Sequence, residues 1–238
     1  RRGVHAVTHA RGTRGQDAAR HRRERGREGD ADRLAGRLGQ ALLDLRGVPV
    51  PAADAVRAHP AHDLGAEQVR LERLARPGGA RGGDDHHVLR LEPGAALTLL
   101  ENGIVGARGN VVIEADLGAG ARLNHVAAHR AGQPRVSVSH LFARLAEGAA
   151  LKSFALSVDG AHMRQESWID IAGDDALAHV AAAVLGDGDG FHQDDTVFVT
   201  HGGLRGESRQ VFKKVLKNGA TGVFQGKILV KPGAQKTD

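Results

Sequence analysis

The sequence predicts an all-β protein whose main part is a parallel β-helix with coils of about 26 residues, preceded by a segment that is partly helical or disordered. Three observations support this prediction: turn motifs recur at nearly constant spacing, the residues between them alternate like strands, and the composition changes abruptly near residue 87. We therefore divide the 238 residues into an Arg-rich N-terminal segment, 1–87, and a repeat core, 88–238.

The N-terminal segment is dense in charge and poor in large apolar side chains. Residues 1–90 contain 18 arginines, 12 acidic residues, no lysine and no Phe, Trp or Tyr. Such a segment buries too little apolar surface to offset the entropy of ordering, so disorder is our first interpretation. Two short helices are the alternative, because apolar residues recur at helical spacing from Leu34 to Leu45 and, less regularly, from Val69 to Leu74.

The arginines also raise the possibility of nucleic-acid binding, because a basic arm binds phosphate groups. Here, however, acidic residues are interleaved with the arginines, and no aromatic side chain is present to stack on a base. We therefore do not expect nucleic acid as a partner. A shifted reading frame upstream of about residue 86 would produce the same change of composition, since all seven lysines lie at Lys152 or later.

A repeated turn motif organises the core. Four segments share a turn centred on Gly or Asp and flanked by Leu or Ile: LEPGAAL at 91–97, LGAGARL at 117–123, LAEGAAL at 145–151 and IAGDDAL at 171–177. Their starts are 26, 28 and 26 residues apart, which indicates a repeat architecture. We expect Gly94, Gly120 and Gly148 to occupy equivalent corners of successive coils, because glycine permits the backbone angles that such corners need.

The residues between the turns alternate with a period of two, as in the segments 136–142 and 153–158. This period is typical of β-strands. No stretch between residues 95 and 210 has the length and pattern of a crossover helix, so each coil is expected to stack directly on the next. An antiparallel β-sandwich is the alternative architecture.

Composition and missing motifs exclude several functions. The chain has no cysteine, so it cannot by itself supply a disulfide, a thiolate nucleophile or a cysteine-ligated zinc or iron–sulfur centre. No run approaches the roughly 20 apolar residues of a membrane span and no leader opens the sequence, so we expect a cytoplasmic protein with no membrane partner. The usual zinc-protease, phosphate-loop and nucleophile-elbow motifs are also missing, and we predict no catalytic residue.

Any metal site would have to use His, Asp or Glu. The best candidates are His192, Asp194 and His201. In an extended strand His192 and Asp194 share a face, whereas His201 lies nine residues from His192 and falls on the opposite face unless a bulge intervenes. The Gly- and Asp-rich stretch 186–190 lacks the ligand spacing of an EF-hand and is interpreted as a tight turn.

The last forty residues contain the most distinctive sequence motifs: SRQVFK at 208–213, NGATGVFQGKI at 218–228 and VKPGAQKTD at 230–238. With these motifs the chain resembles the SufD family of iron–sulfur cluster assembly proteins over roughly 150 residues, from about His87 to Asp238. The residues that carry the resemblance are Phe212, Lys213, Gly222, Phe224, Gln225, Gly226, Lys227, Gln235, Lys236, Thr237 and Asp238. The related SufB protein has a different pattern there, including a cysteine that this chain lacks.

The resemblance implies a right-handed parallel β-helix and a scaffold subunit that is not itself an enzyme. It implies a SufB-like partner, paired through the β-helix, and a SufC-like ATPase. The iron–sulfur cluster would then be present only transiently in the complex, with no cofactor bound by this chain alone. Members of the family continue beyond the position of Asp238 into a helical region that contacts SufC, so this region is expected to be missing from the sequence.

A polysaccharide-active β-helix enzyme is the alternative from a different functional class. It would need a cleft with clustered acids and exposed aromatic side chains for sugar stacking. Six Phe, one Trp and no Tyr make the chain poor in such residues.

Overall fold

Strands account for all regular structure in the described part of the chain. The computed structural model describes residues 6–7, 56–60, 69–73, 83–102, 108–130, 135–158, 160–234 and 237. In chain order the strands are β1 (Ala6–Val7), β2 (Val56–Pro60), β3 (Val69–Arg73), β4 (Gly83–Leu91), β5 (Ala96–Asn102), β6 (Arg108–Leu117), β7 (Arg122–Arg130), β8 (Val136–Leu145), β9 (Ala150–Val158), β10 (His162–Ile171), β11 (Leu177–Asp187), β12 (His192–His201), β13 (Glu207–Lys217) and β14 (Thr221–Val230).

The strands form two sheets, and from β4 onward the chain passes from one sheet to the other at each turn. Sheet A has the order β1-β14-β12-β10-β8-β6-β4-β3, and sheet B has the order β13-β11-β9-β7-β5-β2. From β4 onward, all neighbouring strands within a sheet are parallel. The result is a parallel β-solenoid of about five coils. The predicted parallel β-helix is confirmed, and the antiparallel sandwich is wrong.

The three predicted corner glycines do occupy equivalent positions. Gly94, Gly120 and Gly148 have φ angles of 74°, 67° and 62°. The backbone N–H of each donates a 2.8 Å hydrogen bond to a carbonyl in the corresponding turn of the next coil. These left-handed backbone angles are strained for a residue with a Cβ, which explains why glycine recurs there.

Later coils keep this corner without glycine. Asp175 and Arg205 have φ angles of 56° and 55°. The Arg205 guanidinium donates two hydrogen bonds to the Asp175 carboxylate, at 2.7 and 2.6 Å. These bonds lower the pKa of the Asp175 carboxyl. A surface ion pair therefore joins two corners that lack glycine.

The apolar core lies between the sheets beside these corners. Each motif contributes a leucine or isoleucine on each side of the turn and an alanine within it. In sheet A the register aligns Leu91, Leu117, Leu145 and Ile171. All four are buried, and burying each contributes about 1.5–3 kcal/mol. The alanines at the same corners are Ala95, Ala121, Ala149 and Ala176, all at most 1% exposed.

Within the segment predicted to be partly helical or disordered, the described residues form strands β1, β2 and β3 and the start of β4. The alternative of a helix from Val69 is wrong: Val69–Arg73 is strand β3, paired antiparallel with β4 so that Val69 lies opposite Leu91. The open edge of β4 offers backbone hydrogen bonds that an extended segment can take, and this outweighs a weak helical pattern. The helix predicted from Leu34 to Leu45 lies outside the described residues.

The described residues belong to one unit, formed by Arg1–His9 and Ala53–Asp238. Within the part of the chain that the structure describes, no helix has the length and apolar character needed to cross a bilayer.

Candidate functional site

The three candidate metal ligands lie on one strand but not on one face. His192 and Asp194 point to the outer face of sheet A, whereas His201 points into the interior and is 1% exposed. The structure therefore does not bring the three together. Among the residues described, no group of three or more His, Cys, Asp or Glu side chains is placed to hold a metal ion.

On the outer face, His192 and Asp194 belong to a polar ladder that crosses the strands. The His192 ring lies 5.7 Å from the ring of His162 in the preceding coil. A carboxylate oxygen of Asp194 lies 3.9 Å from the Arg164 guanidinium. These contacts join side chains of neighbouring coils on the outer surface of the sheet, where His192 and Asp194 are half-buried and His162 and Arg164 are exposed.

His201 occupies a core position. Its register partner in the preceding coil is Ile171, so it continues the column of leucines and isoleucine described above. Its Nε2 lies 2.9 Å from the Ser208 hydroxyl, and its buried Nδ1 has no hydrogen-bond partner. Desolvation lowers the pKa of this histidine. His201 is therefore neutral at physiological pH and packs as part of the core.

A buried charged cluster lies beside the candidates, on the inner face of the same strand. Gln193 and Asp195 are both 0% exposed, and Lys214 on β13 reaches across the interior toward them. Lys214 Nζ lies 2.6 Å from Asp195 Oδ2, and the Gln193 amide donates a 2.8 Å hydrogen bond to Asp195 Oδ1. Desolvation raises the pKa of the Asp195 carboxyl, while Lys214 acts in the opposite direction.

Sequence reasoning missed this cluster although its signal was present. The strand alternates, so an outward His192 and Asp194 require an inward Gln193 and Asp195. The same alternation on β13 places Lys214 on the inner side with Phe212, and Lys213 on the outer side.

A second polar group lies in the earlier coils. His125 is 6% exposed; its Nδ1 lies 2.9 Å from the Ser153 hydroxyl and its Nε2 lies 2.8 Å from a Glu101 carboxylate oxygen. These side chains, with Gln165 and Thr196, line an internal cavity of about 40 Å³. A cavity of this size holds about one to three water molecules and is too small for an organic substrate.

The outer face of sheet A carries a larger groove, of about 690 Å³, beside an aromatic row. The row consists of Phe142, Trp168 and Phe198, and the Trp168 and Phe198 ring centroids are 4.2 Å apart. The neighbouring row alternates in charge: Arg90, Asp116, Arg144 and Asp170. Asp116 therefore lies between two arginines on the adjacent strands, and Asp170 lies beside Arg144 and 3.8 Å from the Lys231 ammonium. This is not the paired-acid arrangement of a glycoside hydrolase, although exposed aromatics are present.

The family-motif residues cluster on β13 and β14. The Phe212 and Phe224 rings pack with their centroids 4.8 Å apart and contact the main core. A Cβ on Gly222 would contact the side chains of Lys214 and Leu216, and a Cβ on Gly226 would contact Phe224. Exposed positions hold the polar members of the motif that the structure describes on these strands: Lys213, Gln225 and Lys227. Gln235, Lys236 and Asp238 lie outside the described residues, and Thr237 is half-buried.

Comparison with known proteins gives one positive finding. Searches against curated proteins and against solved structures found no match. The family model for the SufBD core domain of SUF-system FeS cluster assembly matches residues 76–238, which include every strand from β4 to β14. The matched region thus contains the parallel coils, the buried Asp195–Lys214 pair and the β13–β14 motif. The chain belongs to the SufBD core-domain family of the SUF system for FeS cluster assembly.

Proposed function

We propose that this chain is a SufD-type scaffold subunit, which works in the cytoplasm with a SufB-like protein and a SufC-like ATPase and is not itself an enzyme. The observation that carries the proposal is the occurrence of this core domain in a chain without cysteine. Iron–sulfur clusters are held mainly by thiolates, so a partner must supply the ligands. The β13–β14 motif, with its resemblance to SufD, supports the SufD assignment over SufB.

Co-expression tests this proposal. The chain, extended past Asp238 with the sequence that its gene encodes, is tagged and co-purified with the SufB-like protein from the same source. We expect a stable complex of the two, and a larger complex when the SufC-like ATPase is added. A monodisperse monomer that captures neither protein would overturn the proposal.

A further inference from the structure

We propose that the outer face of sheet B binds an acidic amphipathic helix of another protein. The inference does not rest on the proposed function. It rests on an apolar stripe, on unpaired cations beside it, and on the dimensions of the two together.

The apolar stripe runs across all five parallel strands of the sheet. The register aligns one outward-facing apolar residue per strand: Leu100, Val126, Phe154, Ala181 and Val211. Leu100 is 38% exposed and Phe154 is 40% exposed, and the other three are half-buried. On sheet A, in contrast, the aromatic row of Phe142, Trp168 and Phe198 spans only three strands, and the row beside it mixes both signs of charge. Sheet B is therefore the face that offers a continuous apolar line to a partner.

Cations border this stripe. Two residues before the stripe on their strands lie Lys152 and Arg209, with Arg122 two positions further out, and all three are exposed. None of them has an ion-pair partner among the described residues. The carboxylates at outward positions of the same strands, Glu207 and Asp187, are already bonded to His179 and Asn218. The border therefore has a net positive charge that is free to attract an anion.

The dimensions match a single helix. Four strand spacings separate Leu100 from Val211, which is about 19 Å. An α-helix of about 13 residues covers that distance at a rise of 1.5 Å per residue. A helix that lies across the strands with apolar residues toward the stripe would place flanking glutamates beside Lys152 and Arg209. The apolar line and the cationic border therefore select one chemistry: leucine-type residues on one face and carboxylates on its flank.

The alternative anionic occupants fit less well. Nucleic acid would leave the apolar line unused. A membrane surface would contact the whole face, including the polar row of Thr98, Asn124 and the His179–Glu207 pair, and would desolvate it. On one side the stripe continues into further outward apolar residues, among them Ala128, Leu156 and Ala183, and on the other side it is bordered by longer lysine and arginine side chains. An apolar band with a cationic border suits a helix that has an apolar face and an acidic flank.

A designed peptide tests the inference with the full chain. The probe is a synthetic helix of about five turns with leucine along one face and glutamate on both flanks. Its counterpart has lysine at every glutamate position. We expect saturable binding of the acidic peptide by fluorescence anisotropy, at least about tenfold tighter than that of the basic peptide, and weaker at high salt.

Three variants locate the surface, each checked for native thermal unfolding. We expect Ala181→Glu, within the stripe, and the double variant Lys152→Glu, Arg209→Glu to weaken acidic-peptide binding by about tenfold or more. Arg144→Glu, which changes an exposed cation on sheet A, is the matched control and should leave binding unchanged. An equal loss in the control, or no loss in the sheet B variants, would overturn the proposal.

Vesicles of equimolar phosphatidylcholine and phosphatidylglycerol test whether the outer face of sheet B binds lipid and not a helix. If these vesicles bind the chain through the same residues and the acidic peptide does not bind, the helix proposal is wrong and the face is a lipid contact. No binding of either probe also overturns it.

Discussion

Lys214 Nζ and Asp195 Oδ2 lie 2.6 Å apart inside the solenoid, with Asp195 fully buried and Lys214 nearly so. A buried pair of this kind is strongly destabilising to break, because the charge left behind has no water to solvate it. Replacement of both partners by apolar residues is much less costly, because the desolvation cost disappears together with the attraction.

We therefore expect Lys214→Met to lower the free energy of unfolding by about 3–5 kcal/mol, and the double variant Asp195→Leu, Lys214→Met to recover most of this loss. Urea denaturation of both variants measures the effect. The matched control is Lys213→Met, an exposed lysine on the same strand, which should change stability by less than about 0.5 kcal/mol. Equal stability of the Lys213 and Lys214 variants would show that the pair contributes nothing.

Asp195 should also give the protein a pH-dependent stability of unusual sign for an acid. Because burial raises the pKa of the carboxyl in the folded state, the folded protein binds this proton more tightly than the unfolded chain. Its contribution is greatest at low pH and is lost as pH rises from the ordinary value of 3.8 through the raised one. Asp195→Asn should remove that component from a pH series of urea midpoints; an unchanged profile would contradict the shift.

His201 should act in the opposite direction. Desolvation lowers its pKa, so the unfolded chain binds the proton more tightly, and stability falls as pH drops below the ordinary value of 6.5 toward the lowered one. His201→Leu restores the residue type found in this core column. We expect the variant to lose less stability than wild type between neutral pH and pH about 5, measured by urea denaturation. A parallel loss in both proteins would indicate that His201 is not the titrating group.

Two corner glycines, Gly120 and Gly173, should respond differently to alanine. A Cβ at Gly173 would overlap the backbone of Ala146 and Glu147 in the preceding coil, whereas a Cβ at Gly120 meets nothing within 4 Å. Gly173→Ala should therefore cost roughly 3 kcal/mol or more, through overpacking against atoms that cannot move aside. Gly120→Ala should lower the free energy of unfolding by only about 1–2 kcal/mol, the cost of a left-handed backbone angle for a residue with a Cβ. We expect Gly173→Ala to have the lower melting temperature of the two variants, and the reverse order would contradict this prediction.

The chain purified alone should not retain an iron–sulfur cluster. It has no cysteine, and His192 and His201 face opposite sides of β12. After anaerobic reconstitution with iron and sulfide and then desalting, we expect cluster absorbance only when a cysteine-containing partner is present. Near-stoichiometric absorbance on the isolated chain that vanishes in a His192→Ala, His201→Ala double variant would make the histidines cluster ligands.

The repeat could be predicted because its signals are local. A corner such as Leu117–Leu123 contains its glycine, its buried alanine and its flanking leucines within seven consecutive residues. Strand β3 could not be predicted in the same way. Val69–Arg73 has no decisive period of its own, and its conformation depends on the edge of β4, to which it pairs.

The site was predicted only in part, for a related reason. Alternation correctly separates His192 from His201, yet alternation alone does not say which face is buried. The partner of Asp195 comes from another strand, 19 residues away at Lys214, and sequence spacing does not predict a contact across the interior. The buried contact between His125 and Ser153 also joins two coils, and the spacing of these residues in the sequence does not predict it either.

Among the parallel strands β4 to β14, pairing runs only between one coil and the next. Thermodynamically the molecule is therefore a one-dimensional array, in which each coil needs its two neighbours and no others. Insertion or removal of a complete coil would preserve the corners and the register between neighbouring strands. A single residue added within β10 would instead move the side chains that follow it from the core face to the solvent face, and the reverse. Such a chain can change length in steps of one coil, so the spacing between its two ends is adjustable without redesign of its interior.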